Sequence, residues 1–544
     1  MHGSRRGLLA AVGVALVTSL LAVPASAAPL PPDSGSAPSS AAGAYYPTPA
    51  RRLLGTATAG YAVAAGSAHH VAVAGLSGLP PAGISAALVN VTVTAGATAV
   101  AVSAYPAQGP LLAPDAPTSD REQAAPSASG PGGPVGTGGP ADPASPDGTG
   151  PSLAGPTTTP LSVTAPATRT RTALVTVSLD PTGGFDVVST GGAASLTIDL
   201  VGLYAADDTV VARLGPPGGY QPIDPVRLVG GAGAVVPPTA VLGLPSSAPT
   251  VDAALATTLA ADSTRTLGVD LGSAINAHVS ALAVRVSAVG PTIAGTVAVV
   301  GGVDPAAAAT SGDEPGSGPD ATTATPSPPL SPTAPLSPTA PMSPAYATPT
   351  LTLDPGVDAV NLAVVRAVLD PEGLVTLTVR NASAATADIR VDLVGFYDDG
   401  LLGPNLRFRS LPPTRVVTGP RALVAGADTT VTPPSSVAGT NTFALVGTAT
   451  VVTSTDATDL ALWPGSSARP TVGTIPVAAS SRESTPVQPE LDAAGTLGVG
   501  STAGLADLTL DIVGSFEASP AVTDPTTRGW VDAVPSWQVR ALQR

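Results

Sequence analysis

The sequence predicts an all-β protein of three tandem antiparallel β-sandwich domains (a barrel is the alternative closure), carrying long disordered insertions rich in Pro, Gly, Ser, Thr and Ala. Three observations lead there. The first is a period of two along apolar runs: Ala87-Leu88-Val89-Asn90-Val91-Thr92-Val93-Thr94, Leu174-Val175-Thr176-Val177-Ser178-Leu179 and Leu374-Val375-Thr376-Leu377-Thr378-Val379. Val and Thr are stiff at χ1 and suit a pleated surface with one face buried. The second is punctuation. With 60 Gly and 61 Pro among 544 residues, short runs are broken by turn signals at the spacing of sandwich strands. No window carries a capped helical apolar stripe. The third is recurrence.

Each copy ends alike: Thr197-Ile198-Asp199-Leu200-Val201-Gly202-Leu203-Tyr204, then Arg390-Val391-Asp392-Leu393-Val394-Gly395-Phe396-Tyr397, then Thr509-Leu510-Asp511-Ile512-Val513-Gly514-Ser515-Phe516. A Leu-Asp turn precedes each ending, at Asp180, Asp370 and Asp492, which lie 19, 22 and 19 residues before the terminal Asp. Each copy also opens alike, with an aromatic seven residues before an Arg: Tyr45 and Arg52, Tyr220 and Arg227, Phe408 and Arg415. The Arg-to-Asp separations are 147, 165 and 96 residues, so the shortest copy gives a unit of roughly a hundred residues and the longer two hold insertions.

The expected order along the chain follows. Residues 1–28 read as a signal peptide, with Arg5 and Arg6 before an apolar stretch and Ala25-Ser26-Ala27 as the cleavage site. A disordered linker occupies 29–44. The first domain spans 45–206 with an insertion at about 106–166, and a linker fills 207–219. The second domain spans 220–398 with an insertion at about 304–349, then a linker at 399–407. The third domain spans 408–517, and 518–544 form a tail. The second insertion repeats the hexad Leu330-Ser331-Pro332-Thr333-Ala334-Pro335, a composition that favours extended polyproline II over a packed core. In the tail, Trp530 and Trp537 with Arg540 and Arg544 suggest a docking peptide, a segment folded back over the third domain, or the start of a fourth copy.

The openings Ala50-Arg51-Arg52-Leu53-Leu54, Pro225-Val226-Arg227-Leu228-Val229 and Pro413-Thr414-Arg415-Val416-Val417, the middle Asn90-Val91-Thr92 and the three endings resemble tandem units of actinobacterial secreted and envelope proteins. Those units run Pro-x-Arg-Leu-Leu-Asp-Thr-Arg, then Asn-Val-Thr, then Val-Asp-Val-Val-Gly-Tyr-Tyr. The Asp-Thr-Arg triplet is replaced here by Gly55-Thr56-Ala57, Gly230-Gly231-Ala232 and Thr418-Gly419-Pro420. The resemblance implies an envelope-associated β-domain with no established activity of its own.

Charge and chemistry narrow the functions further. The net charge is −15, there is no Cys, and every one of the 23 basic residues is Arg. That sign repels nucleic acid, and the absence of Cys removes thiolate metal sites and Cys nucleophiles. His2 lies in the leader, leaving His69, His70 and His278; the adjacent pair reads as surface strand residues that face opposite sides of a sheet. Asp207-Asp208 and Asp398-Asp399 read as solvated linker acids or as a shallow Ca²⁺ site. No motif assigns a catalytic, cofactor-binding or metal-binding residue, and no cofactor is expected. An unpaired carboxylate inside an apolar strand is costly, so Asp199, Asp392 and Asp511 are expected to pair with Arg52, Arg227 and Arg415 and close the first strand of each domain on its last.

The function expected from these features is a secreted, non-catalytic, multi-domain β-protein forming a structural, adhesive or accessory surface at the bacterial cell envelope. The alternatives are a carbohydrate- or peptidoglycan-binding protein and a hydrolase with an unrecognised site. Export by the general secretory route is favoured over the twin-arginine route, no transmembrane segment is expected in the mature chain, and the partners indicated are a cell-wall polymer or an envelope protein.

Overall fold

The computed structural model describes residues 41–56, 59–106, 162–230, 250–251, 258–302, 349–402, 405–479, 483–519 and 538–541. The leader, most of both insertions and the two tail tryptophans lie outside the described residues. The first copy contains β1 (Tyr45–Leu54), β2 (Tyr61–Val63), β3 (Ala68–Ala72), β4 (Ile84–Ala95), β5 (Val100–Tyr105), β6 (Ser162–Ala165), β7 (Thr170–Ser178), β8 (Gly184–Thr190) and β9 (Ala194–Ala205). The second contains β10 (Tyr220–Val229), β11 (Thr250–Val251), β12 (Ser263–Asp270), β13 (Val279–Val289), β14 (Gly295–Gly301), β15 (Leu351–Leu353), β16 (Ala359–Arg366), β17 (Val375–Asn381) and β18 (Asp388–Asp398). The third contains β19 (Asn405–Val424), β20 (Asp428–Val431), β21 (Thr442–Ser454), β22 (Thr458–Pro464), β23 (Ile475–Val477), β24 (Glu483–Val487), β25 (Leu497–Ser501) and β26 (Leu505–Ser519), and β27 (Gln538–Ala541) follows.

The three copies share one topology. Their inner sheets run β1-β9-β4-β7, β10-β18-β13-β16 and β19-β26-β21-β24, and their outer sheets run β3-β8-β5-β6, β12-β17-β14-β15 and β20-β25-β22-β23. Counting eight principal strands per copy, strands 1-8-3-6 make one layer and 2-7-4-5 the other, which is the jelly-roll arrangement of a β-sandwich. The turn before the seventh strand is the same in each. Asp180 Oδ1 accepts the Thr182 and Gly184 N–H groups at 2.8 and 3.1 Å, Asp370 those of Glu372 and Leu374 at 2.9 Å, and Asp492 those of Ala494 and Thr496 at 3.0 and 2.7 Å. Gly183, Gly373 and Gly495 complete these turns at φ of 78°, 81° and 72°, a conformation that costs glycine no Cβ clash.

Several boundaries differ from the sequence reading. Residues 162–165 are assigned above to the first insertion, yet they form β6, because the fourth strand needs an outer partner and Val163 and Ala165 are buried. Ala41 and Ala44 belong to the folded body and are buried, not to a disordered linker. The third domain begins at Asn405 and its last strand runs to Ser519. The segment at 207–219 holds two short helical turns, Asp208–Val210 and Val211–Leu214.

The inner sheets are apolar on both faces. On β13, Leu282 and Val284 enter the second domain's own core, whereas Ala281 and Ala283 join a cluster shared with the other two domains. Leu445 and Val446 divide in the same way on β21. The three domains therefore do not stand in line; their inner sheets pack against one another. The openings interlock in a closed cycle. Tyr45 N–H donates to Gly218 O at 3.1 Å, Tyr220 pairs with Leu406, and Phe408 N–H donates to Gly43 O at 2.9 Å. Each aromatic thus contacts the residue two before the next copy's aromatic, a pseudo-threefold ring. The Tyr220–Leu406 pair also joins the second and third inner sheets edge to edge.

Six recurring rings fill the centre. Tyr45, Tyr220 and Phe408 from the first strands lie opposite Tyr204, Tyr397 and Phe516 from the last. All six are buried. Ring centroids lie 4.1 Å apart for Tyr45–Tyr397, 4.3 Å for Tyr204–Phe408 and 4.4 Å for Tyr220–Phe516, so each of these close pairs spans two domains. The Tyr204 and Tyr397 hydroxyls are bonded at 2.8 Å. Such pairs contribute about 0.5–1.5 kcal/mol each beyond their burial. The recurring Gly has its reason here. A Cβ at Gly202, Gly395 or Gly514 would stand 2.2, 2.5 or 2.2 Å from Tyr45, Tyr220 or Phe408, so only glycine lets the ring lie across the last strand.

Gly395→Ala is accordingly expected to destabilise the whole ring by about 1–3 kcal/mol through overpacking. Scanning calorimetry should show one transition shifted down as a unit; a separate, unshifted transition for the first or third domain would refute the shared core.

Candidate functional site

The repeated Arg and Asp meet as expected from the sequence. Arg52, Arg227 and Arg415 sit directly opposite Asp199, Asp392 and Asp511 in the first-to-last strand ladders. Arg52 Nε donates to Asp199 Oδ1 at 2.5 Å. Arg415 holds Asp511 with two bonds of 2.8 Å, and this pairing raises the Arg415 pKa. Arg227 Nε bonds Asp392 Oδ1, with Nη2 to Oδ2 at 3.3 Å. The aromatic-to-Arg spacing is seven residues on the first strand but the Asp-to-aromatic spacing is five on the last; bulges between Pro47 and Arg51, Pro222 and Val226, and Ser410 and Thr414 absorb the difference.

The environments of the three pairs differ. Asp392 is 1% exposed and lies between Arg227 on β10 and Arg285 on β13. It also accepts the Gly473 N–H of the third domain at 3.1 Å, while Arg285 donates to the Gly473 carbonyl. Burial lowers the Arg285 pKa and Asp392 opposes that shift. In the first and third copies the place of Arg285 is taken by Asn90 and Thr448. The sequence singles out Asn90 only as part of a motif, and nothing in it marks Arg285.

A second charged cluster joins all three domains. Arg171 on β7 bonds Asp354 of the second domain, with Arg169 3.4 Å from the same carboxylate. Thr172 and Thr352 hydroxyls bond at 2.9 Å beside them, and Leu174 N–H donates to Asn361 Oδ1 at 2.9 Å. Glu483, opening β24 of the third domain, feels this cluster. Burial pushes its pKa up to about 7, Arg171 opposes the shift, and Asp358 and Asp354 add to it.

The paired acids are used as local caps, and Asp398, the last residue of β18, is buried and not a solvated linker acid. Asp207 accepts the Thr209 N–H at 2.8 Å, and Asp208 accepts Ala41 N–H. Asp398 accepts Gly219 N–H, Gly400 N–H and Gln221 Nε2 at 2.9 Å each; burial raises its pKa. Asp399 accepts Leu401 N–H at 3.0 Å and lies 3.1 Å from His278 Nδ1. These bonds make the acids chain caps. No cluster of three or more metal-ligating side chains occurs among the described residues.

One polar row faces outward. On the outer sheet of the first domain, His70 on β3 and Tyr105 on β5 flank Asp186 on β8. His70 Nδ1 stands 3.0 Å from Asp186 Oδ1, with the His70 side chain 46% exposed. On the opposite face of β3, His69 stands across from buried Val187, and Tyr61 of the inner sheet's edge strand β2 packs over it with centroids 4.3 Å apart. The row is too open for general acid–base chemistry in a desolvated cleft, and it sets the Tyr105 ring beside the hydrogen-bonding groups of His70 and Asp186.

No protein family and no curated protein matches the chain. Among solved structures, one described as the triple jelly roll fold and turret assembly in an archaeal virus is similar over 86% of this chain and 91% of that one, at 8% identity and a TM-score of 0.16. The jelly-roll assignment rests on the strand order and not on that likeness. No helix among the described residues is long and apolar enough to cross a membrane.

The burial order sets the cost of breaking the pairs. Asp392→Asn should cost about 3–5 kcal/mol, leaving Arg227 and Arg285 buried without compensation. Asp511→Asn, with Arg415 37% exposed, should cost about 1 kcal/mol. Denaturant unfolding of the two variants checks the ranking, which equal losses would overturn.

Glu483 gives a pH signature. The folded state holds its proton between about pH 4.5 and 7 while the unfolded state does not, so stability falls as pH rises through that window. Glu483→Gln should leave the melting temperature nearly unchanged at pH 4.5 and raise it at pH 8, where the stability gained is about 3 kcal/mol. An equal effect at both pH values would exclude the carboxyl as the source.

Proposed function

We propose that this chain is a secreted, non-catalytic β-protein that presents a rigid structural or adhesive surface at the bacterial cell envelope. The observation that carries the reading is where the repeated residues go. The Arg, the Asp, the Gly and the two aromatics of every copy are used to build each domain and lock the three into a ring, so the recurring signature serves architecture. The leader-like residues 1–28, the Arg-only basic set and the resemblance to actinobacterial envelope units supply the location. What the ring offers to other molecules is its three outer sheets.

The outward row on the first domain favours a second reading, carbohydrate or peptidoglycan binding. Tyr105 provides a ring on the same face of the outer sheet as His70 and Asp186, which provide donors and acceptors at its side. Aromatic platforms with neighbouring polar groups suit amphipathic sugar rings.

Fractionation of the producing cell should place the protein in the medium or the wall fraction; retention in the cytoplasm would refute the location. Purified protein should sediment with isolated cell wall in a manner unchanged by removing His69, His70 and His278, and turnover of ester, peptide or glycosidic substrates that those removals abolish would refute the non-catalytic reading. Under the sugar-binding reading, Tyr105→Ala combined with His70→Ala should weaken binding to soluble wall glycans at least about tenfold, the effect of losing roughly 1.4 kcal/mol. Unchanged binding would dismiss that row as the site.

A further inference from the structure

We propose that β27 is an exchangeable strand whose slot, between β11 and β12 on the second domain, links one copy of this chain to a second copy. The strand belongs to none of the three jelly rolls. It runs antiparallel to β12, with Leu267 opposite Ala541, Gly268 opposite Arg540, Val269 opposite Val539 and Asp270 opposite Gln538. On its other side it runs parallel to β11, with Thr250 opposite Gln538 and Val251 opposite Val539. Among the described strand pairs this is the one parallel ladder. The segment therefore reaches past the third domain, where a tail folded back on its own domain is one of the sequence expectations, and enters the outer sheet of the second.

Among the described residues, nothing like it completes the other two copies. In their outer sheets β3 pairs only with β8 and β20 only with β25 among the described strands, so a jelly roll of this type stands without a ninth strand. β27 is then an addition to a domain that is already a sandwich. Main-chain pairing of this kind is the recognition mode of β-augmentation, in which an extended segment adds to a sheet edge and backbone bonds provide the affinity. Backbone bonds do not distinguish a strand of the same chain from the identical strand of a neighbour, which is the physical basis of strand exchange between protomers.

The connection permits it. Residues 520–537 separate β26 from β27, and eighteen residues span up to roughly 60 Å when extended, more than the width of a hundred-residue domain. A tether of that kind gives the strand an effective concentration of order 1 mM for its own slot. In dilute solution each copy fills its own slot. Where copies are crowded toward that concentration, as on a surface, the strand of one chain competes for the slot of the next. The inference rests on the strand ladders and on the length of the connection, and it stands whether or not the envelope reading holds.

The chain has no Cys, so engineered thiols report the pairing cleanly in the full-length protein. A chain carrying Val269→Cys and one carrying Val539→Cys are mixed and oxidised across a range of protein concentrations. The expected result is a disulfide-linked dimer of the two variants that is scarce at about 1 µM and rises at least tenfold toward about 1 mM, while a chain with both substitutions links within itself when dilute. Ser263→Cys, out of register on the same strand, should not link to Val539→Cys. Failure of the mixed variants to link at any concentration, with the double variant still closing on itself, overturns exchange. Failure of the double variant to close overturns the slot, and equal linking at Ser263 overturns the register. Each outcome leaves the wall-binding assay unaffected, so the two readings fail separately.

Discussion

A β-sheet that is apolar on both faces has no stable place on a protein surface, and that constraint organises this molecule. Each inner sheet covers its own outer sheet on one side and must be covered on the other. The three copies meet the need reciprocally. Their second faces converge, small Ala residues such as Ala281, Ala283 and Ala444 bring the backbones close, and six aromatic rings occupy what space is left. The aromatic scarcity of the chain, 8 Tyr and 5 Phe in 544 residues, makes the concentration of six rings in one place the dominant use of that side-chain class. A single jelly roll cut from this ring would expose its inner sheet to water, and domain stability is therefore inseparable from assembly.

The electrostatics follow from the same burial. With 11% charged residues the chain places a notable share of its charges at seams. Buried ion pairs contribute little net stability relative to apolar replacements, but an unpaired member is heavily penalised. Register is what such pairs select. At Arg227–Asp392 the geometry is satisfied only when the first strand, the last strand and the Gly473 loop of the next domain are all seated, so the pair tests domain closure and ring closure together. The Arg169, Arg171 and Asp354 cluster does the same between the first and second domains.

Much of this was legible in the residues, and the parts that were not have identifiable causes. The repeat markers located the first and last strands of every copy, because Asp in an apolar run, Arg at a fixed offset and an aromatic pair are rare types in this composition. The seven-against-five spacing of those markers even contains the bulge. The two-sided burial of the inner sheets was hidden. In Ala87-Leu88-Val89 the alternation is between two apolar faces, and in a chain so poor in charge a solvent face is not distinguished by polarity; all three residues are fully buried. The short outer strands, such as β6, β20 and β23, offer three or four residues each, too few for a period, and β6 shares the composition of the insertion beside it. Glu483 carries no local signal because the charges it feels lie in the other copies, and Arg285 carries none because Asp392 is remote from it in the sequence and Gly473 belongs to the third copy.

Residues 107–161 separate β5 from β6 and residues 303–348 separate β14 from β15, so both follow the fourth principal strand of a jelly roll. The equivalent connection of the third domain, between β22 and β23, is short, and within it Gly473 bonds Asp392 and Arg285 of the second domain. Length is absent where the connection itself makes the seam, as at Gly473; in the second copy the seam bonds are made by Thr352 and Asp354, which follow the connection. A surface connection tolerates growth cheaply, about 0.6 kcal/mol for each doubling, provided that its two ends stay paired, and β5–β6 and β14–β15 remain paired across the gap. The ring thus separates what must be conserved in space, the inner sheets and their seams, from an outer hairpin whose connection varies in length without disturbing the centre.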